Sequence, residues 1–310
     1  VAKYLLQAAK LGRVEPQIVS SKSEAKHIMT TLHRSSRTLL GSVSLLVLTS
    51  AANASLYTNQ IGPNISYTNI NEFDSQMVGP PPVNSTPTGL FGAPVLSPPN
   101  SDNLTFPALT FSALVADGEF AFQDGKLIMD IAPTSPAGTI HSLTFDEGGA
   151  WNVMGSDSAA TVEATLLFND LRITSVNDVP LANPIIVTPT FTEDISVQNA
   201  PALTTTGTGE VTIASDGGDG NGLWDITASF NLDAALAAAD LTGNVTGMSV
   251  ALDDQLYADT DADTDSTVNL AQIDKKHFIV SGVTSEVPEP ASISLLLGAA
   301  GLVMRRRRVV

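Results

Sequence analysis

The chain has 310 residues, no cysteine, and a formal net charge of −17. The absence of cysteine excludes disulfides, thiolate catalysis and cysteine-ligated zinc or iron–sulfur centres. Between Ser55 and Glu286 only four basic residues (Lys126, Arg172, Lys275 and Lys276) face 29 acidic ones, a net charge of −25. Such a body repels phosphate backbones, so nucleic-acid binding is not expected. It is compatible with divalent cations and with a solvated acidic surface.

In chain order, residues 1–28 are mixed and basic, and they fit poorly in front of a signal peptide. Met29 is the expected start of translation, with 1–28 a mispredicted extension. Residues 29–54 read as that signal peptide. His33, Arg34 and Arg37 form a basic flank, "TLLGSVSLLVLTS" an apolar run, and Ala52-Asn53-Ala54 a small-residue cleavage site, so the cut is expected between Ala54 and Ser55. Residues 55–105 are rich in Pro, Asn, Ser and Gly and read as a linker or edge segment.

From 106 to 286 the pattern turns to β. In "GLWDITASFNLD", Trp224, Ile226, Ala228, Phe230 and Leu232 share one phase, and Asp225, Thr227, Ser229, Asn231 and Asp233 share the other. A period of two with one polar face is a half-buried antiparallel strand. Val162, Ala164, Leu166 and Phe168 alternate likewise, then change phase to Leu171 and Ile173, which predicts a bulge or turn near Asn169-Asp170. Met248, Val250 and Leu252 mark another strand. "QDGK", "DEGG", "DGGDGNG" and "VSGV" are expected turns. "LDAALAAADLTG" is the one expected helix, closed by Gly243. The expected class is all-β, an antiparallel β-sandwich or jelly roll, flanked by the signal peptide and a C-terminal membrane tail.

The tail, 287–310, has three parts. Two prolines hold Val287-Pro288-Glu289-Pro290 extended. Ala291 to Met304 is an apolar run of fourteen residues. As a helix it would be about 21 Å long against a hydrocarbon core of roughly 30 Å. Arg305, Arg306, Arg307 and Arg308 then snorkel and resist translocation. Motif, apolar segment and arginine cluster together resemble the PEP-CTERM sorting signal of exopolysaccharide-producing bacteria. The resemblance covers only this tail. It implies recognition by an exosortase, a membrane cysteine protease–transpeptidase, which cuts at or near the triplet. The precursor would then be a single-pass inner-membrane protein, and its body would end at the cell surface or outside the cell.

Two acidic segments carry candidate calcium ligands. "YADTDADTDSTVN" places Asp259, Asp261, Asp263 and Asp265 at alternate positions, where a hard cation or solvent must relieve their repulsion. It departs from the EF-hand pattern, which requires glycine where Thr264 stands and a bidentate acid where Leu270 stands. Asp219, Asn221 and Asp225 in "DGGDGNGLWD" have loop-like spacing, with a glycine-rich hairpin as the competing reading. Val176-Asn177-Asp178-Val179-Pro180 resembles the junction motif of bacterial cadherin-like adhesion repeats, and it also reads as a strand-ending turn.

Catalytic patterns are scarce. His141 and His277 read as strand or turn residues, and the G-x-S-x-G, H-E-x-x-H and phosphate-loop patterns do not occur. Trp224 belongs to the apolar phase, and Trp151 is the more exposed candidate for stacking on sugars. The expected function is a non-enzymatic structural or adhesive protein associated with extracellular polysaccharide. The alternative is a secreted carbohydrate-binding module or a polysaccharide-active hydrolase.

Overall fold

The computed structural model describes residues 54–286, except 79–82, 86–88, 108–109, 137, 155–158, 199–201, 217 and 262–268. The extension, the signal peptide up to Asn53, Asp263, Asp265 and the whole sorting tail, including Pro288, Glu289, Pro290 and Arg305 to Arg308, lie outside the described residues.

The described residues form seventeen strands and one short helix. The first seven strands are short except for the third: β1 (Ala54–Leu56), β2 (Gln60–Ile61), β3 (Ile65–Val78), β4 (Val83–Ser85), β5 (Val95–Leu96), β6 (Leu104–Thr105) and β7 (Ser112–Ala116). Then come β8 (Phe120–Pro133), β9 (Gly138–Met154), β10 (Ala159–Val176), β11 (Val179–Ile186), β12 (Thr190–Gln198), β13 (Ala202–Thr205), β14 (Glu210–Asp216) and β15 (Gly220–Asn231). Helix α1 (Leu232–Ala238) precedes β16 (Val245–Thr260) and β17 (Leu270–Glu286). One sheet runs β1-β3-β8-β16-β10-β14-β13, with β2 and β4 also on β3 and β11 on β10. The other runs β12-β15-β9-β17-β6-β5, with β7 also on β17. Every pairing is antiparallel. Inward residues of both sheets form one hydrophobic cluster, an all-β arrangement consistent with a sandwich. Among the described residues no helix is long and apolar enough to cross a membrane.

The alternation read from the sequence is realised where it was clean. Trp224, Ile226, Ala228 and Phe230 are buried, and so are Val162, Ala164, Leu166, Leu171, Ile173, Met248, Val250 and Leu252. The phase change near Asn169-Asp170 is a register irregularity between Phe168 and Asp170 where β10 pairs with β16. Asn177 and Asp178, both at positive φ, make the two-residue turn between β10 and β11.

Three expected turns are not turns. "QDGK" lies inside β8, "DEGG" inside β9 and "VSGV" inside β17. Their glycines serve close packing instead. A Cβ on Gly125 would lie 2.3 Å from Phe111 Cζ, and one on Gly149 would lie 1.7 Å from the Asp274 carbonyl oxygen. Helix α1 also stops earlier than expected. Asn231 caps its start, accepting from the Ala234 N–H at 2.9 Å, and the chain turns at Asp240 with φ 56° rather than at Gly243.

The largest departure is at the front. Residues 55–105 are not a separate linker: β3 is a full member of the first sheet between β1 and β8. Its pattern is hidden by a register shift between Thr68 and Asn71, which puts Ile65 and Tyr67, then Ile70, Glu72 and Asp74, on the inward face. Phe73 points outward and two acids point inward, the reverse of a readable strand. The acids have partners. Glu72 accepts from the Phe91 N–H at 2.7 Å and from the Tyr57 hydroxyl. Asp74 accepts from the N–H groups of Gly89 and Leu90 at 3.0 and 3.1 Å. Asp102 clamps the start of β3 by accepting from the N–H groups of Asn64 and Ile65.

Burial, with the Glu72 carboxyl adding to it, pushes Asp74 from 3.8 up to about 8. The folded state therefore holds this proton more tightly than the unfolded chain. The resulting stabilisation is complete below the unfolded value of 3.8 and is lost as pH rises through about 8. Asn at this position keeps an acceptor for the two N–H groups and cannot ionise. In urea denaturation, Asp74→Asn is expected to flatten the decline of stability between pH 3.8 and about 8. At the alkaline end it should exceed the wild type by on the order of a few kcal/mol. Parallel pH profiles of the two proteins would contradict this account.

Candidate functional site

On the outer face of the second sheet, β15, β9 and β17 run side by side. Gly148 in β9 stands opposite Asp225 in β15 and opposite His277 in β17. Asp146 lies two residues before Gly148 on the same face. A register shift in β17 between Lys275 and His277 turns Lys275 into the core and His277 outward, with Lys276 as the extra residue. The ligand atoms of Asp146, Asp225 and His277 lie within 4.8 Å of one another. His277 Nε2 is 3.5 Å from an oxygen of each aspartate.

The surroundings favour this cluster. A Cβ on Gly148 would come within 2.6 Å of His277 Cε1 and 2.9 Å of Asp225 Oδ2, so any other residue would close the space between the two. Thr227 donates its hydroxyl to Asp146 Oδ1 at 3.0 Å and so orients that carboxylate. Asp194 in β12 stands opposite Asp225 and adds an exposed acid beside the trio. The Asp146 carboxylate, assisted by Asp225, raises the His277 pKa against the opposing effect of burial. His277 in turn lowers Asp146, and burial and Asp146 together raise Asp225.

One imidazole and two carboxylates, each half-buried, make a donor set for a borderline divalent ion such as zinc or cobalt. Bond lengths of 2.0–2.2 Å around a tetrahedral ion imply ligand–ligand separations of about 3.3 Å, close to the separations of His277 from each aspartate. Solvent would complete the coordination.

This trio shares one residue with the calcium ligands expected from sequence and rearranges the rest. Asn221 and Asp225 lie on one extended strand, four residues and about 13 Å apart, too far to grip one ion. Asp219 is exposed in the turn before that strand. Asp259 is the penultimate residue of β16, opposite Phe120 and Thr161, and Asp261, just past the strand's last residue Thr260, is exposed. Trp151 is not exposed. It is 2% accessible, like Trp224, and both belong to the core, which leaves no sugar-stacking platform at Trp151. His141 contacts Asp233 at 2.9 Å and Ser285 at 2.7 Å.

A second polar centre lies on the other side of the same strands. Glu147, the neighbour of Asp146, points inward, as do Lys275 and, from the opposing sheet, Asp254 in β16. All three side chains are inaccessible to solvent. Lys275 Nζ donates to Glu147 Oε2 at 2.6 Å and to Asp254 Oδ2. It lies 4.9 to 5.6 Å from the ring centres of Phe91, Phe111 and Phe278. The second oxygens, Glu147 Oε1 and Asp254 Oδ1, are buried without a hydrogen-bond partner. Burial raises Glu147 and lowers Lys275, so both move toward their neutral forms. The sequence reading missed this centre. Its signal was a charge inside an apolar phase: Phe145-x-Glu147, Leu252-x-Asp254-x-Leu256 and Ile273-x-Lys275.

Compared with known proteins, the chain matches no protein-family model and no curated protein sequence.

Zinc or cobalt added to the metal-free protein is expected to bind one-to-one, cobalt with visible d–d absorption. His277→Gln should weaken that binding by about tenfold or more while leaving the β circular dichroism unchanged. Equal cobalt binding by wild type and variant would remove the assignment.

Proposed function

We propose that this chain is an exported β-sandwich protein, sorted to the cell surface by an exosortase and acting there, or in surrounding polysaccharide, as a structural or adhesive component without catalytic activity. The carrying observation is the ordered series of Val287-Pro288-Glu289-Pro290, the apolar segment to Met304 and Arg305 to Arg308. Two structural features support the reading. The last strand ends at Glu286, so a cut at the triplet leaves both sheets whole. At the other end β1 begins at Ala54, paired with Phe73, so a cut between Ala54 and Ser55 spares all but its first residue.

The acidic body suits a hydrated matrix, where like charge keeps chains apart unless divalent ions bridge them. The carbohydrate-binding alternative loses the aromatic platform it required, because Trp151 is buried. Mass spectrometry of the mature protein from a host with an exosortase should find a C-terminus at or near Pro288, and replacing Pro288-Glu289-Pro290 by alanines should retain the precursor in the inner membrane. Surface-exposed protein still carrying the arginine tail would refute the sorting mechanism.

A further inference from the structure

Lys275, Glu147 and Asp254 are an unusual group to bury. The body has four basic residues, yet one of them is spent in the core, fully shielded, with two acids. With all three groups ionised the cluster carries a net negative charge in a dry cage of phenylalanines. Both carboxylates keep one unpartnered oxygen there. Desolvation of such groups costs several kcal/mol each unless the pairing is complete, and here it is not. The cluster also bridges the sheets. Asp254 comes from β16 in the first sheet, and Lys275 and Glu147 come from β17 and β9 in the second.

We infer that Lys275 and Asp254 condense to an intramolecular amide that cross-links the two sheets, with Glu147 as the proton-transferring group. This cross-link is independent of the sorting proposal and uses only groups in the core.

The atoms balance without a co-reactant. The buried ammonium of Lys275 passes one proton to the Asp254 carboxylate, which leaves a neutral amine facing a neutral carboxylic acid. Glu147, which enters the step in its neutral form and leaves it neutral, donates to the Asp254 carbonyl oxygen and makes Cγ more electrophilic. Lys275 Nζ attacks Cγ, and the Nζ–Cγ bond forms. Glu147 relays a proton from Nζ to the departing hydroxyl, the Cγ–O bond breaks, and water leaves. The products are a neutral amide, a neutral Glu147 and one water molecule. Two opposite charges disappear from the core, and an oxygen leaves with them. Glu147 remains beside the amide N–H as its acceptor.

The surrounding structure holds the reacting atoms together. Nζ touches both carboxyl groups at once, which provides the proximity that an amide-forming step needs. Phe111 lies closest to Nζ. Its carbonyl accepts the Lys275 backbone N–H at 3.1 Å, and its ring fits because Gly125, the residue opposite Asp254, has no side chain. Phe91 is anchored by Glu72, and Phe91, Phe106 and Phe278 stack edge to face with centres 5.1 to 5.5 Å apart. These rings exclude the water that would hydrolyse the product or hold the ions apart.

The test is the mass of the full chain under denaturing conditions, compared with a Lys275→Met chain made in the same host so that processing at the termini cancels. After correction for the substitution, the wild type is expected to be lighter by one water molecule. Tandem spectra should show the peptides carrying Asp254 and Lys275 joined, and trypsin should fail to cut after Lys275. Glu147→Gln is expected to fold and to keep the water, with both side chains free. A wild-type mass equal to the sequence mass, with normal cleavage after Lys275, overturns the inference without reliance on any variant. A Glu147→Gln chain that condenses as completely as the wild type overturns the role given to Glu147.

Discussion

A lysine nitrogen in the middle of an aromatic core sets the terms for the rest of this molecule. Lys275 cannot be accommodated by hydrophobic packing alone, so the neighbouring strands supply acids at positions where leucine or valine would otherwise sit. Glu147 occupies the inward phase of β9 and Asp254 that of β16, and three phenylalanine rings close the space around the nitrogen. Gly125 gives up its side chain to admit one of those rings. The loop that delivers Phe91 is held by Glu72 and Asp74, themselves acids on an inward face. One polar residue thus accounts for a chain of further exceptions, each of which makes sense only beside the previous one.

The same strand segment produces the outer site. Asp146 and Glu147 are consecutive, so the pleat sends one outward and the other into the core. In β17 the two functional residues are two apart and would share a face in a regular strand. The bulge between them separates Lys275 from His277. The two centres therefore lie back to back across one sheet, and Glu147 also helps to raise the His277 pKa. A bulge is energetically tolerable here because the extra residue, Lys276, is exposed and pairs with Asp274 at 2.6 Å.

What was legible in the sequence depends on this arrangement. Strands such as β15, whose inward residues are all apolar, could be read residue by residue, and so could the phase change near Asn169. β3 could not, because its inward positions carry Glu72 and Asp74 and its register shifts near Asn69. Glycines misled in a consistent direction. Gly125, Gly148, Gly149 and Gly282 resemble turn formers in one dimension, but in three dimensions they are places where a side chain or, at Gly149, a backbone carbonyl from elsewhere needs room. Proximity in sequence misled for the candidate ligands too. Asn221 and Asp225 read as members of one loop, whereas an extended strand keeps them apart, and the partners of Asp225 come from two other strands. The informative signal was a charge interrupting an apolar alternation, at Glu147, Asp254 and Lys275.

The absence of cysteine has its physical counterpart in this core. A body that carries a charge of −25 between Ser55 and Glu286 works against its own compaction through self-repulsion, most strongly at low ionic strength. Long antiparallel strands and one continuous hydrophobic core oppose that repulsion, and hydrogen bonds such as Val245 N–H to the Thr139 hydroxyl and Ser112 N–H to the Gln123 amide oxygen, at 3.0 and 2.7 Å, cross between the sheets. To these the core adds a buried polar tie, the Lys275–Asp254 contact between β17 and β16, surrounded by rings and backed by Glu147. Because it is buried, salt screens it far less than any pair on the acidic surface. Repulsion between surface acids therefore varies with the ionic strength of the medium far more than this buried tie does.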